Sequence, residues 1–168
     1  MNDDLQAAWI RNATPNEHHA RLAILAGRWH AAAQFWMAPD QPPISSDGQC
    51  VNTPILGARW ISMHYTCDFM GSPYEGAGVI GFDNITGEYV GNWMDSMSTQ
   101  MQLHRGKPGP DPARIEMRGK AFDAMGVEGV SRNVTTIHAP DHHTYEMFRA
   151  CPGQPEFRTG IIEYRRIR

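Results

Sequence analysis

From Gly27 onward, apolar and polar residues alternate with a period near two, and glycine, proline, asparagine and aspartate interrupt the alternation roughly every ten residues. This rhythm predicts strands over Trp29–Met37, Gly48–Leu56, Trp60–Phe69, Tyr74–Asp83, Tyr89–Ser98, Met101–Arg105, Arg114–Lys120, Val130–His138, Thr144–Ala150 and Phe157–Arg166. Hairpin chemistry lies between them, as in Met70-Gly71-Ser72-Pro73 and Asp83-Asn84-Ile85-Thr86-Gly87. The run Pro39-Asp40-Gln41-Pro42-Pro43 cannot join a central ladder, because proline donates no hydrogen bond.

Before Gly27 the pattern is helical. Thr14-Pro15-Asn16-Glu17 supplies a capping hydroxyl, a proline at the first helical position and a carboxylate three residues after the cap. The helix is expected over 15–26, stopping at Gly27, with Leu22, Leu25 and Ala26 as its apolar edge. Residues 1–14 read as an extension. Nine or ten strands joined by short turns make an all-β, up-and-down antiparallel sheet. Closing it into a barrel removes the exposed edges, with the N-terminal helix capping one end. No repeat, serine-rich linker or low-complexity run divides the chain, so 1–168 is expected to be a single barrel domain.

Composition narrows the partners. The chain has 168 residues, 41% of them hydrophobic, and a net charge of -3. That balance argues against nucleic acid, which rewards a concentrated basic face. The one basic cluster, Arg165-Arg166-Ile167-Arg168, reads as solvated edge protection. No window approaches the roughly 18 apolar residues of a membrane span, and Met1 to Gln6 lacks the basic and apolar regions of a signal peptide. The expectation is therefore a cytoplasmic protein. Cys50, Cys67 and Cys151 are odd in number and widely spaced, as reduced buried thiols are. The triplets Asn84-Ile85-Thr86 and Asn133-Val134-Thr135 then carry no glycosylation meaning.

Several segments resemble one bacterial family. These are Leu25-Ala26-Gly27-Arg28-Trp29, Phe35-Trp36-Met37 with Pro42-Pro43, Gly71-Ser72-Pro73-Tyr74-Glu75-Gly76 through Gly81-Phe82-Asp83-Asn84, and Tyr89 through Met97. Together with Thr144-Tyr145-Glu146-Met147 and Glu163-Tyr164 they are similar to the family called domain of unknown function 1579, from about Asn16 to Arg166. The resemblance implies a lipocalin-like barrel of the calycin type and no established activity. Gly27-Arg28-Trp29 is similar to the Gly-x-Trp start of lipocalins and of haem-binding nitrobindins. Between Gly106 and Pro112 the sequence departs from the family pattern, with a proline-rich loop in place of an ordinary hairpin.

Candidate chemistry follows from strand phase. Trp93, Asp95 and Met97 share a face with Tyr89, Gly91 and Thr99, an apolar surface broken by one carboxylate. An inward charge needs a partner, and Arg132, flanked on its face by Val130 and Val134, is the candidate cation. Glu146 shares a face with Phe148, and Glu75 and Glu163 are further carboxylates among apolar neighbours. Trp93, Asp95, Met97, Arg132, Glu146, His64 and Glu75 are thus the candidate ligand-binding residues, expected around a common cavity. Solvated strand residues or cross-strand ion pairs would look the same in sequence.

Eight histidines raise a metal question. His138 and His142 have a ligand-like gap, but Pro140 forbids the helical turn that would align them. His19, His64 and His143 across the barrel mouth are the remaining metal candidates. A metal ion or haem is not favoured, and nothing in the sequence selects an iron-ligating histidine. Gly76-Ala77-Gly78-Val79-Ile80-Gly81 matches a dinucleotide fingerprint literally. It is rejected because a strand surrounds it and no helix follows.

Two classes remain. One is a protein that binds a small apolar or amphipathic ligand. The other is a barrel enzyme, a lyase, isomerase or hydrolase, using a pocket carboxylate or histidine as acid, base or metal ligand. Binding is preferred because no nucleophile-base-orienter set can be read. A homodimer is compatible with either.

Overall fold

The computed structural model describes residues 2–168. Ten strands run β1 (Gly27–Phe35), β2 (Ile44–Ile55), β3 (Trp60–Phe69), β4 (Ser72–Asp83), β5 (Glu88–Asp95), β6 (Gln102–Gly106), β7 (Arg114–Phe122), β8 (Glu128–Ala139), β9 (His142–Ala150) and β10 (Phe157–Arg166). Each pairs antiparallel with its chain neighbours, and β1 pairs with β10 from Trp29 opposite Arg166 to Phe35 opposite Gly160. The sheet is a closed up-and-down barrel, as the alternation requires. Short-range signals set the turns: the Asp83 carboxylate accepts from the Ile85 amide and the Thr86 hydroxyl, and Gly87 follows at φ +67°.

Two helices precede the barrel, α1 (Asp3–Ala13) and α2 (Glu17–Ala23). The expected cap at Thr14 is corrected. Asn16 caps α2, its side chain accepting from the His18 amide while His19 Nδ1 accepts from the Asn16 amide at 3.1 Å. The imidazole does the work usually given to glutamate in a capping box. Thr14 instead donates its hydroxyl back to the Ile10 carbonyl at the end of α1. The supposed extension is therefore a helix, capped by Asn2 and opened by Asp3 and Asp4, whose charges suit its positive end. No residue of α1 is buried. It is tied at its C-terminus, where Asn84 Nδ2 and the Arg59 guanidinium donate to carbonyls of residues 11–14.

Helix α2 caps one end. Leu22 and Leu25 pack with Ile61, Ile80, Phe82, Tyr89, Ile115 and Met117, contributed by β3, β4, β5 and β7. His18 stacks on Phe82, and both His18 Nδ1 and Arg21 bond the hydroxyl of fully buried Tyr89. A second cluster around Trp29, Ala31, Ala33, Tyr65, Ile162 and Tyr164 extends toward the other end.

The seam is held by one guanidinium. Arg166 lies over the Trp29 ring at 4.2 Å and donates to the carbonyls of Ala26, Ile24 and Pro140. Trp29 Nε1 and Asn52 Nδ2 both donate to the Leu25 carbonyl. The carbonyls that the end of α2 leaves free are thereby satisfied from β1, β2 and β10 together. Arg166 is thus a structural latch and not the solvated edge charge expected. Arg166→Ala is expected to lower the unfolding free energy by about 2 kcal/mol in urea denaturation, and Arg166→Lys by a similar amount, because an ammonium cannot reach three carbonyls while stacking.

Candidate functional site

The barrel interior encloses a cavity of about 330 Å³ that runs from Leu25 beneath the helical plug to Phe35 and Arg149 near the other end. Its apolar wall includes Met63, Ile80, Met117, Met147 and Ile162. The indole of Trp93 forms one side and owes its position to glycine. A Cβ on Gly76 would stand 2.2 Å from Trp93 Cζ2, and one on Gly78 would lie 3.1 Å from its Cε3. On the outer face Gly81 makes the same room for Trp60. The Gly-x-Gly-x-x-Gly string thus accommodates two indoles on opposite faces of β4.

Polar groups enter from several strands. Ser131, Asn133 and Thr135 of β8 face inward, and His104 Nε2 lies 2.7 Å from Ser131 Oγ and 3.0 Å from Asn133 Nδ2. Burial holds the His104 pKa below its ordinary value, so the ring is neutral near pH 7. Tyr74 accepts a long hydrogen bond of 3.4 Å from Trp93 Nε1, and burial raises the pKa of both Tyr74 and Tyr65. Three cavity-lining residues keep buried polar atoms without a hydrogen-bond partner among the described residues: Tyr65 Oη, His143 Nδ1, and Nε and Nη2 of Arg149. Buried polar atoms are ordinarily paired, so such concentration inside one cavity is unusual.

Of the sequence candidates, Trp93 and Asp95 line the cavity. Met97 does not. Strand β5 ends at Asp95, whose carboxylate accepts from the Met97 amide and turns the chain, leaving Met97 67% exposed. Arg132 points outward, covering Phe148 at 3.9 Å and gripping Glu156 with Nε and Nη2, which raises its pKa. Glu146 is also outside, 3.3 Å from Arg158. His64 and Glu75 form an exposed pair across β3 and β4 at 2.7 Å. Glu163 pairs with Arg165 on the outer surface. The expected common cavity thus gathers only two of its seven candidates.

The histidines do not converge. His19 serves the cap of α2, His64 faces solvent, and His143 is sandwiched, stacked on Tyr164 at 4.5 Å and edge-on to Trp29 at 4.3 Å. Among the described residues no group of three or more histidine, cysteine or acidic side chains is placed to hold a metal ion. His104 Nε2 is engaged by Ser131 and Asn133, and the His143 ring is held between Tyr164 and Trp29.

Alternation did not single out Tyr65, Tyr74, His104, Ser131, Asn133, His143 or Arg149 as a set. The usable signal was phase: Arg149 shares parity with Met147, Tyr145 and His143, the face of β9 opposite to Glu146. His143 also sets an acid limit, because burial pushes its pKa down to about 3. Its folded pKa is below the unfolded value near 6.5, so the full stability is present above that pH. As the pH falls from 6.5 toward 3, only the unfolded chain takes up the proton. The unfolding free energy from urea denaturation is expected to fall by roughly 1.4 kcal/mol per pH unit from this residue, with His104 adding in the same direction. His143→Phe should flatten the profile, and an unchanged slope would assign it to other groups.

Among solved structures, the chain is similar to the crystal structure of Rv2717c from M. tuberculosis, with a TM-score of 0.69 and 14% sequence identity over 92% of this chain and 100% of that one. At that identity the likeness speaks for the fold alone. None of the curated proteins matches. No helix among the described residues is long and apolar enough to cross a membrane. The family model described as protein of unknown function DUF1579 matches residues 14–166, nearly the whole barrel with its plugging helix, and the chain belongs to that family.

Proposed function

We propose that the barrel binds a small apolar or amphipathic molecule in its interior cavity. The observation that carries this reading is the enclosed space of about 330 Å³, with a mainly apolar wall and a few polar atoms whose hydrogen-bonding capacity is unused. Ligand sites have this composition, with apolar area supplying affinity and sparse polar anchors supplying orientation. A barrel folded only for stability gains by filling its centre, since lost packing costs roughly 24 cal/mol per Å³ of void.

The loops at the end away from α2 support an entry route there. Met37, Met70, Met97, Met101 and Met125 lie on four of these connections and all are exposed, so the rim is apolar and conformationally adaptable. We place the protein in the reducing cytoplasm on the strength of three free cysteines. Burial pushes the Cys50 thiol up to about 12, which removes it as a nucleophile.

One observation supports a catalytic reading. Ser131 Oγ and His104 Nε2 are 2.7 Å apart, and a neutral His104 is in the state to accept a hydroxyl proton. The same hydroxyl lies 3.3 Å from the Gly119 carbonyl, and no carboxylate among the described residues bonds the other ring nitrogen. With no third group to orient the base, binding is the better account.

Titration with the neutral fluorophore N-phenyl-1-naphthylamine tests the reading. The probe should saturate and quench a tryptophan signal that is lost in Trp93→Phe. Gly76→Ala, which drives the indole into the cavity, should weaken binding at least tenfold while the circular dichroism spectrum stays that of the barrel. Unchanged affinity in Gly76→Ala would place the probe elsewhere.

A further inference from the structure

Arg149 stands apart from the other arginines. It lies on β9 with its side chain in the cavity wall, and its Nε and Nη2 are buried without a hydrogen-bond partner. A guanidinium carries only donors and is satisfied by acceptors alone. Among the described residues no ion pair includes it.

The two nitrogens form one edge of the guanidinium, and this protein shows what that edge is suited to hold. Arg118 uses Nε and Nη2 on the Glu116 carboxylate, Arg132 uses them on Glu156, and Arg165 uses them on Glu163. In the Arg132 pair the two donors meet both carboxylate oxygens side-on, and in the other two they converge on a single oxygen. Arg149, on the cavity wall, leaves this same edge without a partner. The other ionisable groups on the cavity wall, besides the high-pKa tyrosines and the thiol of Cys50, are Asp95, His104 and His143, and burial lowers the pKa of both histidines. Among the described residues Arg149 is therefore the one arginine or lysine on the cavity wall, and Asp95 the one carboxylate.

We infer that the cavity is selective for an organic monoanion, an apolar carboxylic acid whose carboxylate is gripped side-on by Nε and Nη2 of Arg149 while its apolar body extends inward past Trp93 and Tyr65 toward Ile80 and Met117. This rests on the binding function proposed above and adds the chemical class of ligand. Charge count separates a carboxylate from a phosphate monoester. A phosphate monoester brings nearly two negative charges to one guanidinium, with Asp95 on the same wall adding repulsion. Position sets the orientation. Arg149 is six residues along β9 from His143, about 20 Å at strand rise, so the charged head sits toward the methionine-bearing end and the body toward the plug.

Three probes of one shape test the inference: 2-naphthoate, its neutral methyl ester and 2-naphthyl phosphate, each titrated by calorimetry and by Trp93 quenching. Wild-type protein is expected to bind the naphthoate at least tenfold more tightly than either other probe. Arg149→Met should cost the naphthoate roughly 10- to 100-fold while leaving the ester unchanged. Arg149→Lys keeps the charge without the two-pronged edge and should recover only part of the loss, which gives an answer even if the methionine variant folds poorly. Equal binding of ester and acid by wild type would overturn the inference, as would a preference that survives both substitutions. If none of the three probes binds or quenches Trp93, the cavity-binding reading itself fails, a result distinct from binding without charge preference.

Discussion

The stacking of Arg166 on Trp29 is the interaction on which the rest of the structure depends. A ten-stranded meander has two free edges until β1 meets β10, and the pairing begins where these two residues face one another. The guanidinium then reaches the carbonyls of Ala26, Ile24 and Pro140, so one side chain binds the last strand to the end of α2 and to the β8–β9 turn. Gly27, at φ +126°, leaves the space the guanidinium occupies, since a Cβ there would meet it at 2.3 Å. Barrel closure and end closure are therefore one event. Without the plug the cavity would be an open tube, and its buried polar atoms would be in water.

Much of the fold was legible because strand alternation is a strong local signal in a barrel with one filled and one solvated face. Boundaries erred where a side chain intervened: Asp95 turns the chain before the alternation of 97 and 99 can be realised. Helix α1 has a readable cap and acidic first turn, but its apolar residues Leu5, Trp9 and Ile10 stay exposed, so nothing in the barrel pattern called for it. The cavity was harder, and β8 explains why. Its valines face outward and its Ser131, Asn133 and Thr135 inward, the reverse of the usual rule. Val134 is nonetheless fully buried, in register with Glu116 and Glu146 and on the face where Arg132 covers Phe148. An apolar stripe on a barrel exterior can be hidden under long charged side chains, and phase alone does not reveal that. The cation expected inside was accordingly sought on the wrong strand face. Arg132 is outside and Arg149 is inside.

The interior shows how little side-chain volume separates a packed barrel from a hollow one. Trp93 lies against β4 because Gly76 and Gly78 have no Cβ, and the space it would otherwise fill remains open. Polar residues on β8 and aromatic hydroxyls then line a volume that an all-aliphatic interior would have closed. The same residues that make the cavity give up packing energy, and the plug and seam offset that loss.

The strand order has a consequence of a different kind. Every strand pairs with its neighbours in the chain except at the seam, where the start of β1 lies against the end of β10. Hairpins can therefore form locally in any order, and only the final ring closure carries the entropy of a loop spanning the whole barrel, about 4 kcal/mol by loop-length scaling. A circle has no preferred beginning. A linker joining the end of β10 to the helical segment ahead of β1 would let the chain start at a tight turn such as the one at Gly71 and enclose the same interior.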